Sequence, residues 1–210
     1  MDDHELAAEL ARTAGAILTT IQSAGLLAGR ELGDAGDAVA HSWLAGSLTA
    51  LRPDDGLLSE ESFQDGVDRT DQRRLWIVDP LDGTREFSEN RTDWAVHVAL
   101  VIAGAPGPSA VALPGLGLVL STAAVRPPAP PAGPLRIAVS RSRPPALAGA
   151  VAEQLGAELV PMGSAGYKAM AVVRGEVHAY LHAGGQYEWD SAAPVGVAVA
   201  AGLHASRIDG

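Results

Sequence analysis

The sequence predicts a layered α/β protein made of two halves, and three observations carry that reading. Two helical stretches come first and are followed by mostly consecutive strands, which suggests layered packing. Strands and helices then alternate through the second half, again as in layered α/β packing. Between the two patterns, residues 127–134 contain five prolines. Proline fixes φ and lacks a backbone donor, so this segment is expected to be a stiff polyproline connector. The halves are residues 1–126 and 135–210, packed as one compact unit.

Each element follows from its residues. Leu6, Leu10, Ala14, Ile17 and Leu18 fall on one face and predict a helix over 5–22. The polar cluster Gly33-Asp34-Ala35-Gly36-Asp37 predicts the start of a second helix over 38–51, with Asp37 placed to act as its N-cap. Residues 57–62 form a strand-like run ending in the paired acids Glu60 and Glu61. Residues 75–78 are short, apolar and β-branched, hence a buried strand, which Pro80 is expected to stop. A long strand follows over 94–102, then a hairpin of 110–113 with 118–122 around Pro114-Gly115-Leu116-Gly117. The second half reads as strand 135–139, helix 145–155, strand 158–161, helix 165–174, strand 177–182 and helix 191–201. Trp43 and Trp94 are expected as packing anchors, and Trp189 as a wedge against the sheet.

Composition narrows the function classes. With no cysteine, the chain has neither disulfides nor thiolate metal sites nor a thiol nucleophile. A formal charge of −10 repels nucleic-acid polymers, so an anionic partner must be small and met by local cations. The first residues, Met1-Asp2-Asp3-His4-Glu5, are acidic and lack the basic and apolar regions of a signal peptide, and no apolar run is long enough to span a bilayer. A cytoplasmic protein without membrane partners is therefore expected, as a monomer or homodimer.

The segment Trp76-Ile77-Val78-Asp79-Pro80-Leu81-Asp82-Gly83-Thr84-Arg85-Glu86-Phe87 carries the chemistry. A strand end delivers Asp79 to the crevice where ligands collect in α/β sheets. Asp79 and Asp82 can converge on one cation with the Leu81 carbonyl turned the same way, an all-oxygen donor set that suits Mg²⁺. Gly83 and Thr84 then open a helix whose N–H groups favour an anion such as phosphate. Two further acids keep this company: Glu60 at the second strand-like run, and Asp190 at the mouth of a long Ala/Val/Gly helix.

These residues resemble the inositol monophosphatase superfamily of Mg²⁺-dependent, lithium-sensitive phosphatases. Its DPxDGTxxF block stands here at 79–87, and its WDxAAxxxxxxxAG block at 189–202 as WDSAAPVGVAVAAG. Leu81, the Arg85-Glu86-Phe87 ending and the Val139-Ser140-Arg141-Ser142 stretch look most like the branch of CysQ-type bisphosphate nucleotidases, which act on 3'-phosphoadenosine 5'-phosphate. The resemblance runs from the first helix to residue 210. It implies the sugar phosphatase αβαβα sandwich with its active site between the halves. Members usually continue a few dozen residues past the second block, so the C-terminus is expected to be short, exposing a sheet edge or helix face.

The resemblance also implies roles. Glu60, Asp79 and the Leu81 carbonyl would hold one Mg²⁺, and Asp79, Asp82 and Asp190 another, for two or three ions in all. Asp37 and Thr84 would form the dyad that activates water. Substrate would meet Glu60, Leu81, Asp82, Gly83, Thr84, Arg91, Ser164, Lys168 and Asp190. Lys168 falls where the nucleotidase branch has a phosphate-binding lysine, and it is the only lysine here beside fourteen arginines; a solvated helix lysine is the plainer alternative. Arg85 and Arg91 could each clamp a phosphate. His182 stands where some nucleotidases have arginine, so the grip on a second phosphate can differ. His178 and His182 would share a strand face, but Mg²⁺ prefers oxygen, and His97 is expected as a hydrogen-bonded core residue. The expected activity is hydrolysis of the 3'-phosphate of 3'-phosphoadenosine 5'-phosphate. The alternatives are an inositol monophosphate or fructose 1,6-bisphosphate phosphatase, and a non-catalytic metal- or nucleotide-binding regulator.

Overall fold

The computed structural model describes residues 1–60 and 72–208. Helices α1 (Asp3–Ser23) and α2 (Gly29–Leu51) lead into β1 (Gly56–Ser59), β2 (Arg74–Asp82), the five-residue α3 (Thr84–Ser88), β3 (Ala95–Ile102), β4 (Ala105–Leu113) and β5 (Leu118–Ser121). Then come β6 (Arg136–Ser140), α4 (Ala148–Leu155), β7 (Glu158–Met162), α5 (Ala165–Val173), β8 (Ala179–Tyr180) and α6 (Glu188–Ala200). The first five strands form one sheet in the order β1-β2-β3-β4-β5, with β1 parallel to β2 and the rest antiparallel. The other sheet, β7-β6-β8, is parallel throughout.

The layers follow from which faces are apolar. Helices α1 and α2 cover one side of the large sheet, burying Leu6, Leu10, Leu18 and Leu44 with Trp76, Val78 and Val98 from the strands. Helices α5 and α6 cover the other side through Met170, Val173, Ala193 and Val197. The opposite flank of α5 contacts β6 and β8, and α4 contacts β7, completing five layers. An Asp2/Glu5 capping box starts α1. Arg74 holds that helix start to the sheet: it donates to Asp55 and to Asp3, while Trp76 Nε1 donates to Asp55 as well. No helix of the described residues is long and apolar enough to cross a membrane.

Several boundaries differ from expectation, each for a packing reason. Helix α2 begins at Gly29, so Asp37 lies inside it and is not its N-cap. The glycines that resemble a breaker serve close approach instead. A Cβ on Gly33 would meet Ser88 Oγ at 2.5 Å, and one on Gly36 would meet Phe87 Cε1 at 2.7 Å. Strand β2 runs through Pro80 to Asp82; its pairing with β3 shifts between Asp79 and Asp82, the irregularity that accommodates a proline. Strand β4 starts at Ala105 and passes Pro106 and Pro108 beside another register shift. Strand β8 is only two residues long, extended by hydrogen bonds from His178 and Leu181 to β6 carbonyls. Helix α6 starts at Glu188, which puts Asp190 in its first turn.

The two kinds of helical glycine give opposite expectations. Gly46→Ala, with nothing within 4 Å of the added carbon, should stabilise by up to about 1 kcal/mol through helix propensity. Gly36→Ala should destabilise by about 1–3 kcal/mol despite the same propensity, because Phe87 must move. Urea unfolding of both variants checks the pair; equal signs would contradict the α2–α3 packing.

Candidate active site

The bulge in β2 turns two carboxylates toward α6. Carboxylate oxygens of Asp79, Asp82 and Asp190 all lie within 4.8 Å of one another. Asp79 is buried, and its Oδ1 accepts the Leu81 N–H at 3.1 Å. Burial pushes its pKa well up, and the charges of Asp82, Glu60, Asp190 and Asp37 push the same way. Glu60 and Asp37 therefore share the electrostatic field of this cluster, although Glu60 itself is exposed at the end of β1. Burial also raises the Asp190 pKa, against the N–H of Tyr187, which donates to its Oδ2 at 2.8 Å.

Asp82 is the exception. Burial alone would raise its pKa, but the charge and close contact of His97, the Gly166 N–H and the Lys168 charge hold it below the usual value. Its two oxygens accept the N–H groups of Ala165 at 3.0 Å and Gly166 at 2.6 Å. His97, on β3, places Nε2 3.0 Å from the same carboxylate and Nδ1 2.9 Å from the Trp189 carbonyl. A carbonyl only accepts, so Nδ1 carries hydrogen; Nε2 lies in contact with the Asp82 carboxylate, outside hydrogen-bond alignment, where positive charge on the ring is favoured. Burial opposes that charge, yet Asp82 raises the His97 pKa overall.

The donor set is compatible with a hard divalent cation. Three carboxylates converge through oxygen alone, and the crowding that forces Asp79 toward its neutral form is relieved once positive charge sits among them.

Thr84 begins α3, and its Oγ1 donates to the Leu81 carbonyl at 3.3 Å. Gly33 of α2 abuts Thr84, and Asp37, one helical turn further on, shares that face. With five residues, α3 sums few peptide dipoles, so the anion preference expected of its start is slight. Gly83 needs to be glycine twice over. Its φ is +96°, and a Cβ would meet Ser164 Cβ at 2.9 Å. Ser164 thus reaches the Asp82–Thr84 turn from the second half of the chain. It caps α5, its Oγ accepting the Tyr167 N–H at 3.0 Å.

Both residues expected to contact phosphate already have partners within the protein. Lys168 is buried rather than solvated, and its ammonium donates to the carbonyls of Gly163 and Ser164 with the Tyr180 ring 5.2 Å away. Through those two carbonyls it supports the 163–166 turn that presents N–H groups to Asp82. Arg91 spends its planar fork on Asp93, with two contacts of 2.7 Å, and Asp93 in turn accepts the Gly163 N–H. Arg85, by contrast, lines a cavity of about 480 Å³ beside Thr84, together with Arg30, Asp34 and Ser88. Arg141, from the stretch following β6, bridges Glu86 and Glu89 and so ties the second half to α3. His178 accepts the Arg136 N–H through Nδ1, which occupies that nitrogen. Glu61 lies outside the described residues.

His97 is the hydrogen-bonded core residue expected from the sequence; what the sequence did not indicate is its approach to Asp82 and the N–H groups that Ala165 and Gly166 donate to that carboxylate. The clue for His97 was its place as the sole ionisable residue of an apolar strand; its partner across the ladder is Asp79.

Comparison with known proteins agrees with this geometry. The inositol monophosphatase family pattern matches residues 4–210. A Mycobacterium leprae protein named 3'-phosphoadenosine 5'-phosphate phosphatase is 51% identical, covering 100% of this chain and 83% of its own. The Escherichia coli protein named 3'(2'),5'-bisphosphate nucleotidase CysQ is 32% identical, over 81% of this chain and 74% of its own. The crystal structure of CysQ from Bacteroides thetaiotaomicron superposes with a TM-score of 0.81 at 25% identity, covering 95% of this chain and 86% of that one.

Proposed function

The chain belongs to the inositol monophosphatase family, and we propose that it is a Mg²⁺-dependent phosphatase that releases the 3'-phosphate of 3'-phosphoadenosine 5'-phosphate, leaving AMP. The names of its relatives support the substrate. The observation that carries the reaction type is the meeting of Asp79, Asp82 and Asp190 oxygens next to Thr84. In this reading Glu60, Asp79 and the Leu81 carbonyl hold one cation, and Asp79, Asp82 and Asp190 another. Bound divalent cations supply Lewis acidity toward the phosphoryl group and lower the pKa of water.

The chain's own residues do the rest. Thr84, anchored to the Leu81 carbonyl, orients the attacking water, and Asp37 receives its proton. Gly83 and Ser164 approach closely, which sets the start of α5 against the turn that carries Asp82 and Thr84. No covalent phosphoenzyme is required, since two carboxylate-held charges and an oriented water suffice for in-line displacement.

One observation favours a second reading. With Lys168 engaged by backbone carbonyls, a second phosphate lacks the cation expected for it, and inositol monophosphate carries only one phosphate. Phosphate release from the bisphosphate nucleotide, inositol 1-phosphate and fructose 1,6-bisphosphate separates the readings. At least a tenfold higher kcat/KM for the nucleotide is expected, about 1.4 kcal/mol of differential transition-state binding; a preference for inositol 1-phosphate would sink the assignment. Millimolar Li⁺ should inhibit.

Lys168→Ala then gives a distinct result. Because the ammonium holds the turn that carries the Asp82 donors, turnover of both the nucleotide and inositol 1-phosphate should fall together. The ratio of their kcat/KM values cancels the common damage. A selective loss for the nucleotide would return Lys168 to the second phosphate.

A further inference from the structure

Asp82 and Asp190 arrive from different halves of the chain, at the end of β2 and in the first turn of α6. Their separation matters, because Mg²⁺ demands near-ideal octahedral geometry and tolerates little ligand displacement. His97 spans them. Its Nε2 is 3.0 Å from Asp82 Oδ2, and its Nδ1 is 2.9 Å from the carbonyl of Trp189, the residue before Asp190. The ring is 1% exposed and walled by Gly166, where a Cβ would come within 2.0 Å of Nε2. An imidazole so enclosed has one position, and a planar ring hydrogen-bonded to Trp189 through Nδ1 and in contact with Asp82 through Nε2 has one length.

We propose that His97 is a positioning residue, a strut of fixed length between the Asp82 carboxylate and the turn bearing Asp190, through which it sets the affinity of the centre for a divalent cation. This rests on the reading of Asp79, Asp82 and Asp190 as metal ligands. Core filling would not require both nitrogens to face acceptors belonging to the two ligand-bearing segments. A charge-balancing role predicts the opposite sign of effect, since removing a positive ring beside the site would strengthen cation binding.

Two variants cut the strut at different ends. In His97→Asn the amide nitrogen can take the place of Nδ1 and keep the Trp189 bond; in His97→Gln it can take the place of Nε2 and keep the Asp82 contact. The measurements are the Mg²⁺ dissociation constant by calorimetry and the midpoint of the Mg²⁺-induced rise in Tm. Each variant should bind Mg²⁺ about 10- to 100-fold more weakly, the usual effect of losing an outer-shell partner. In an Asp190→Asn background neither should weaken the residual binding further, because the far end of the strut then carries no ligand. Parental or tighter affinity, an equal fold loss in the Asp190→Asn background, or failure of both variants to fold would each overturn the strut. No Mg²⁺ binding by the parent protein would instead remove the metal reading on which it rests.

Discussion

Asp79→Asn is expected to lower kcat by about 1,000-fold, several kcal/mol of transition-state charge stabilisation, and at the same time to raise the Tm of the metal-free protein. The two effects share a cause. Asp79 is buried among the charges of Asp82, Glu60, Asp190 and Asp37, all of which disfavour its ionised form. An amide keeps the acceptor for the Leu81 N–H and removes the repulsion, along with the charge that a cation needs. The gain in Tm should vanish as the pH falls toward about 3.9, where an ordinary aspartate is protonated in the unfolded chain and Asp79 is protonated in both states. Asp82→Asn should behave differently. It would remove the carboxylate beside the His97 ring and put an amide against two N–H donors, so stability and turnover should fall together, the former by about 1–3 kcal/mol. Phosphate release and calorimetry in EDTA test both variants. Parental turnover in Asp79→Asn, or a metal-free Tm that drops in both variants alike, would refute the division of roles between the two acids.

Thr84→Ala should lower kcat by about 100-fold or more, the scale of a lost proton-transfer group, with little change in the Mg²⁺ concentration needed for half-maximal rate. The hydroxyl donates to the Leu81 carbonyl, which leaves its lone pairs to accept from a water held over the carboxylates. Its loss is felt mainly in the transition state, so kcat moves more than KM. Thr84→Ser keeps the hydroxyl and should recover most of the rate. Asp37→Asn should match the alanine variant, and the double variant should be no worse than the poorer single, because members of one proton path are non-additive. Multiplicative losses in the double variant would separate the two residues into independent roles.

Much of the layout was legible because it is local. Apolar spacing in α1 and the β-branched run of β2 name their elements, and one strand end with its turn carries Asp79, Leu81, Asp82, Gly83 and Thr84 together. Boundaries failed where tertiary contact overrides propensity. Gly33 and Gly36 look like a helix start until α3 is seen pressed against them, and Pro80 looks like a stop until the bulge absorbs it. The partners of Lys168 and Arg91 were hidden for a related reason. A cation's partner cannot be read from its own position when competing acceptors, here the Gly163 and Ser164 carbonyls and the Asp93 carboxylate, are supplied by the fold.

Residue order by itself determined the family, the layered α/β class and the acids of the centre, since these are carried by two contiguous blocks whose chemistry survives without knowing what lies opposite. Only the tertiary structure decided how those acids are held and which way the pKa of each is pushed. His97 meets Trp189 across 92 positions and Gly166 donates to Asp82 across 84. In a buried site the nearest opposite charge or N–H group outweighs every local preference, so two aspartates three residues apart in sequence have pKa values shifted in opposite directions.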